Sequence, residues 1–214
     1  MVQRAQHRRI RDDGLQRGFD VLVASVLLLA AAPLMLVVSV LILLSRGPVL
    51  FRQTRVGRCG QLFTCLKFRT MVPDAAATLE KLLATDPVAR AAWASDFKLV
   101  NDPRITRVGN FLRKTSLDEL PQLINVLRGD MSLVGPRPVV PEELGRYGDY
   151  AQVVLQVRPG MTGAWQVNGR NTTTYMQRIK LDVDYALHRT LTTDIGILFK
   201  TIRAVINPQP DESR

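Results

Sequence analysis

The chain has 214 residues, a formal net charge of +10, two cysteines and two histidines. Its excess of cations points to anionic partners: nucleic acid, acidic lipid headgroups or phosphorylated metabolites. Cys59, Cys65, His7 and His188 are too few and too scattered for a four-ligand zinc site. Spacing leaves a Cys59–Cys65 disulfide open, and two reduced thiols is the plainer reading.

Val21 to Leu44 contains no charged residue and is long enough for one bilayer crossing of about 30 Å. Two features argue against a plain span. Pro33 interrupts it, predicting a break or kink. Basic residues flank it on both sides: Arg4, Arg8, Arg9, Arg11 and Arg17 before, Arg46, Arg52, Arg55 and Arg58 after. Cations at segment ends favour the cytoplasmic side, so a single span strands one flank outside. A re-entrant hairpin satisfies both flanks. Physics alone leaves that hairpin, a kinked span and a buried core helix open.

Beyond the Ser45–Pro48 turn, Val49–Phe51 and Leu62–Phe68 are predicted strands around a Gly57–Gly60 loop. Lys67 and Arg69 would share one strand face, with a solvated edge as the plain alternative. Pro87 divides an Ala- and Leu-rich run into helices over Pro73–Ala84 and Pro87–Asp96. Trp93 and Phe97 are four apart, for the core or for the headgroup layer. Glu142–Gln156 is predicted helical, Ala164–Asn168 a strand and Gly169–Asn171 a loop. Thr174–His188 and Asp194–Val205 are predicted helices, and the tail after Asn207 is predicted disordered.

The chemistry concentrates in Arg113–Pro138. Asp118 and Glu119 are adjacent at a predicted helix start, with Arg113 and Lys114 before them and Arg128 and Arg137 after. Ser116-Leu117-Asp118-Glu119 fits a capping box, in which Glu119 only caps. Pro121 sits better if Asp118 is the cap. In either register Asp118 lies at a helix N-terminus, where free amides favour its charged form and attract phosphate. Phosphoryl transfer asks for little beyond positioning and charge neutralisation. A carboxylate can act as nucleophile, Mg²⁺ takes one or two carboxylates plus phosphate oxygens, and Arg137 between two prolines is a preorganised anion fork. The sequence carries no P-loop, GxGxxG motif or His-centred base. The competing reading is a non-catalytic basic membrane-surface module. Nucleic-acid binding lacks a recognition module.

Lys67-Phe68-Arg69-Thr70-Met71, Arg113–Pro138, Arg158–Gly163 with Gln166–Asn171, and Asp182-Val183-Asp184-Tyr185 occur in the order of a known family. Over about residues 15–205 the chain resembles the bacterial sugar transferases, the monotopic polyprenyl-phosphate phosphoglycosyl transferases, in minimal catalytic form. The resemblance implies an α+β fold, mainly helical with short strands. A basic segment and re-entrant helix-break-helix hairpin would occupy residues 1–45, and a cytoplasmic catalytic domain with interfacial amphipathic helices residues 46–206, leaving a tail at 207–214. It implies transfer of a sugar 1-phosphate from a UDP-sugar to undecaprenyl phosphate through an aspartyl-phosphosugar, with UMP released and Mg²⁺ assisting. Asp118 would be the nucleophile, and Glu119 would bind Mg²⁺ or assist the acceptor. Arg113 would hold the polyprenyl phosphate. Pro136, Arg137 and Pro138 would contact the nucleotide-sugar, with Lys67 and Asp182 as further functional positions. The expected setting is the cytoplasmic face of the bacterial inner membrane, among membrane lipids, with a homodimer allowed. One departure is Ala32-Pro33, where the family often has Ser-Pro.

Overall fold

In the computed structural model, the structure describes residues 14–96, 99, 102–168 and 174–206. Arg4, Arg8, Arg9, Arg11, Phe97, the Gly169–Asn171 loop and the tail after Asn207 lie outside them.

Helix α1 spans Gly14–Leu43 and is long and apolar enough to cross a membrane, by length and composition. The expected division at Pro33 is not seen, since the helix runs through it. Pro33 leaves the Leu29 carbonyl without its helical partner. Continuing the helix forfeits that one bond, whereas opening a turn would free several backbone groups. Ser39 donates to the Met35 carbonyl at 2.7 Å and so serves its own turn. One stripe of α1 faces the rest of the protein: Asp20, Ala24, Val38 and Ile42 are buried, and Leu28 and Met35 pack beside them. Leu22, Val26, Leu29, Leu36 and Val40 are exposed.

The ends of α1 are fastened by polar contacts. Arg17 donates to the Val126 and Leu127 carbonyls at 2.6 and 3.0 Å, and Asp20 accepts from the Leu133 amide at 3.0 Å. At the other end Arg69 donates to Ser45 Oγ at 2.7 Å and to the Ile42 and Arg46 carbonyls. Arg69 is thus buried and caps a helix C-terminus, where a cation is favoured. It does not lie on a solvated edge.

Strands β1 (Leu50–Val56) and β2 (Leu62–Phe68) form an antiparallel hairpin with Gln53 opposite Cys65 and Phe51 opposite Lys67. Strand β1 is longer than predicted, because Arg52, Gln53, Thr54 and Arg55 hide its alternation. Both cysteines are free. Helices α2 (Ala75–Thr85) and α3 (Pro87–Asp96) divide at Pro87 as predicted, with Asp86 accepting from the Val88 and Ala89 amides. Trp93 lies under the Arg104 guanidinium, 5.0 Å away.

Helix α4 (Arg107–Lys114) and helix α5 (Gln122–Arg128) bracket the central stretch. Strands β3 (Ser132–Val134) and β4 (Gly160–Thr162) pair in parallel. The predicted Ala164–Asn168 strand is instead a helical turn, Ala164–Val167. Segments of three or four residues are too short for periodicity to distinguish. The predicted Glu142–Gln156 helix divides into Pro141–Leu144, a 3₁₀ stretch and Ala151–Val154, because Gly148 adopts φ 51°. Helix α6 (Tyr175–His188) starts with a capping box from Thr174 and Gln177, and α7 is Leu191–Ile206. The main core lies where Ala24 of α1, Leu123 and Val126 of α5, Leu133 and Val134 of β3, Tyr185 and Ile197 meet.

Candidate active site

Helix α4 passes very close to the chain leaving β2. A Cβ on Gly109 would sit 1.9 Å from the Thr70 carbonyl oxygen, so only glycine permits this approach. One turn on, Arg113 Nε donates to Thr70 Oγ1 at 2.9 Å. The helix ends at Thr115, and Ser116 turns the chain with φ 56°, a left-handed conformation uncommon for serine. A 3₁₀ turn, Leu117–Glu119, then carries the two carboxylates, and Pro121 leads into α5.

This geometry removes the capping box, since Ser116 makes no side-chain cap. Glu119 Oε1 instead accepts from Lys67 Nζ at 2.7 Å. Asp118 departs from expectation in another way. Burial, then the neighbouring charge of Glu119, raises its pKa above the ordinary 3.8, against the pull of Lys67 and Arg113. Helix-end reasoning predicts the opposite direction, and desolvation outweighs it here.

Two cavities meet at this point. The larger, about 610 Å³, opens beside the C-terminal end of α1 and is lined by Phe51, Phe68, Met71, Arg113 and Asp118 among others. The smaller, about 110 Å³, is lined by Gln122, Arg137, Pro138, Thr162 and Gln166 among others. Arg55, Lys67, Ser116 and Glu119 line both. Lys114 and Arg128 line neither.

The Pro136–Pro138 loop is held from below by β4: the Gly160 amide donates to the Pro136 carbonyl at 2.8 Å, and the Gly135 amide to the Thr162 carbonyl at 2.9 Å. Pro136 is buried and Arg137 exposed, its guanidinium 5.7 Å from the Trp165 ring. Arg178 lies 5.2 Å from that ring. Asp182 lines neither cavity; it is 1% exposed and accepts from Tyr147 Oη at 3.2 Å. Burial pushes its carboxyl up to about 7, with Arg178, Tyr147 and the Arg137 amide opposing. Asp182 therefore stands behind the Arg137 loop.

Between an unfolded value near 3.8 and a folded value of about 7, folding takes up a proton at Asp182. Its contribution to stability thus falls as pH rises through this window and levels off above it. In thermal melts from about pH 5 to pH 7, Asp182→Asn is expected to flatten the decline in Tm. An unchanged slope would show that this carboxyl is not its source.

Among the described residues no group of three or more His, Cys, Asp or Glu side chains is placed to hold a metal. Asp118 and Glu119 supply hard oxygen donors on the wall of one cavity, which suits Mg²⁺ completed by substrate phosphates rather than an all-protein cage.

Residues 11–208 match the family described as bacterial sugar transferase. The chain belongs to this family. This sugar transferase chain is 54% identical over 192 residues to an undecaprenyl-phosphate galactose phosphotransferase of Salmonella typhimurium, covering 90% of the chain and 40% of that relative. It is 49% identical over 191 residues to the exopolysaccharide production protein ExoY of Rhizobium meliloti, covering 89% of the chain and 84% of that protein. It is also 39% identical over 197 residues to a UDP-glucose:undecaprenyl-phosphate glucose-1-phosphate transferase of Escherichia coli K12, covering 88% and 39%. The chain thus spans about two fifths of the length of the first curated relatives it matches.

Of the residues expected at the site, Lys67, Arg113, Asp118, Glu119, Arg137 and Pro138 line the joined cavities, Pro136 supports the loop, and Asp182 lies behind it. Sequence reasoning passed over Arg55 and Cys65. The alternation that places Lys67 on one face of β2 also places Cys65 there, and the hairpin register adds Gln53 and Arg55.

Proposed function

We propose that the chain transfers a sugar 1-phosphate from a UDP-sugar to undecaprenyl phosphate in two displacements at one phosphorus. A carboxylate oxygen of Asp118 attacks the sugar-bearing phosphorus of the UDP-sugar. The bond from that phosphorus to the bridging oxygen breaks, and UMP leaves. A phosphate oxygen of the lipid then attacks the same phosphorus, the Asp118 oxygen–phosphorus bond breaks, and polyprenyl-diphospho-sugar departs. The observation that carries this reading is the junction of the two cavities beside Asp118. One presents Arg137 and Pro138, suited to a nucleotide diphosphate, and the other joins apolar walls to Arg113, suited to a lipid phosphate. The names of the Salmonella and E. coli relatives support the same substrate classes.

Asp118 and Glu119 would hold Mg²⁺, which when bound neutralises phosphate charge. The raised pKa of Asp118 describes the protein without substrate or cation, and Lys67 and Arg113 already favour its charged form. The test is UMP release from a UDP-sugar with no lipid acceptor. The proposal expects a burst approaching one UMP per active chain, whereas direct transfer to the lipid gives none.

We further infer that both ends of α1 lie at the cytoplasmic face of the inner membrane. Both its ends are fastened to the same body, through Arg17 and Asp20 at one and Arg69 at the other, and basic flanks border the apolar run. Labelling of cysteines introduced in residues 1–15 tests this, and a periplasmic N-terminus contradicts it.

A further inference from the structure

Four side chains line both cavities: Arg55, Lys67, Ser116 and Glu119. Arg55 is a fixed fork. Its Nη1 donates to the Pro138 carbonyl at 2.9 Å and its Nη2 to Gln53 Oε1 at 2.6 Å. These bonds use two of the five guanidinium donors and hold the plane in one orientation. Burial and the neighbouring charge of Arg137 work against its own charge, so a nearby anion is favoured.

We propose that Arg55 is a catalytic residue of both half-reactions, donating to the phosphate that leaves as UMP and then to the lipid phosphate that arrives. The inference rests on the two-step reading above. In-line displacement puts the leaving and entering groups opposite the nucleophile. Because Asp118 is the nucleophile first and the leaving group second, the departing UMP phosphate and the attacking lipid phosphate occupy the same place in turn. A cation serving both must be reachable from both cavities. Arg137 lines only the smaller cavity and Arg113 only the larger, whereas Arg55 and Lys67 line both, and Lys67 is engaged with Glu119 at 2.7 Å.

The experiment compares the full chain with Arg55→Gln and Arg55→Lys in lipid nanodiscs. Rapid quench measures UMP release without acceptor, and consumption of preformed adduct on adding undecaprenyl phosphate is timed separately. Loss of one preorganised donor costs roughly 10²-fold or more. Arg55→Gln is expected to slow both steps by about that factor, with Arg55→Lys recovering part of both rates. If Arg55→Gln slows UMP release while adduct consumption keeps the unsubstituted rate, Arg55 only pins the Pro138 loop and the proposal is overturned. Equal loss in the Lys and Gln variants, with lowered melting temperatures in both, also overturns it. If the unsubstituted chain forms no adduct, the two-step reading itself fails, an outcome distinct from either.

Discussion

Asp118→Asn is expected to abolish both UMP release and adduct formation, lowering turnover by on the order of 10⁴-fold or more, as removal of a nucleophile does. The amide is nearly isosteric with the carboxyl, so the 3₁₀ turn, the Lys67–Glu119 pair and the melting temperature should be retained. Burial makes the distinction sharp, because a carboxyl whose charge is opposed by desolvation and by Glu119 loses little stability when neutralised. Glu119→Gln offers the contrast. It dissolves a pair with Lys67 whose side chains are 30% and 29% exposed, so its structural cost is small. An activity loss there would report on the metal or the acceptor rather than on the fold.

The largest structural effect is expected at Asn125, which is fully buried in α5. Its side chain completes the outer edge of β2, with Oδ1 accepting from the Leu66 amide at 3.0 Å and Nδ2 donating to the Thr64 carbonyl at 2.8 Å. The same Nδ2 reaches Asp130 Oδ2 at 3.1 Å. One amide thus stands in for a missing third strand and locks β2, which carries Lys67, against the helix that follows Asp118. Asn125→Ala leaves the Leu66 amide and the Thr64 carbonyl buried and unpaired, at about 1–3 kcal/mol each. Chemical denaturation should show a loss of roughly 2–5 kcal/mol, enough to unfold a marginal domain. A loss below 1 kcal/mol would mean that water or a shifted strand satisfies those groups.

These two residues also mark what the sequence allowed a reader to see. Asp118, Glu119, Arg113 and Arg137 were legible because chemistry of both signs is compressed into one stretch, and each of the four lines the joined cavities. Asn125 was illegible, since nothing local distinguishes an asparagine that caps a distant strand from one on a helix surface. Arg69 was left open and Arg55 passed over for a related reason. A cation on a basic flank looks solvated until the turn after α1 and the hairpin register show what it reaches. Glu119 fitted a local capping box, but the left-handed turn at Ser116 points it to Lys67. Asp182 lay in a legible motif, yet its burial behind Arg137 required the packing of α6. Pro33 suggested a broken helix, and the run of helix-compatible residues on either side carried α1 through it.

The proposed mechanism turns on a covalent bond at one side chain. Incubating the full chain with a UDP-sugar and Mg²⁺, without lipid acceptor, followed by intact and peptide mass measurement, tests it most directly. The expected result is a mass gain of one sugar phosphate, confined to the peptide carrying Asp118 and lost on adding undecaprenyl phosphate. An unmodified chain that still turns over when acceptor is supplied, or an adduct on another residue, would contradict it.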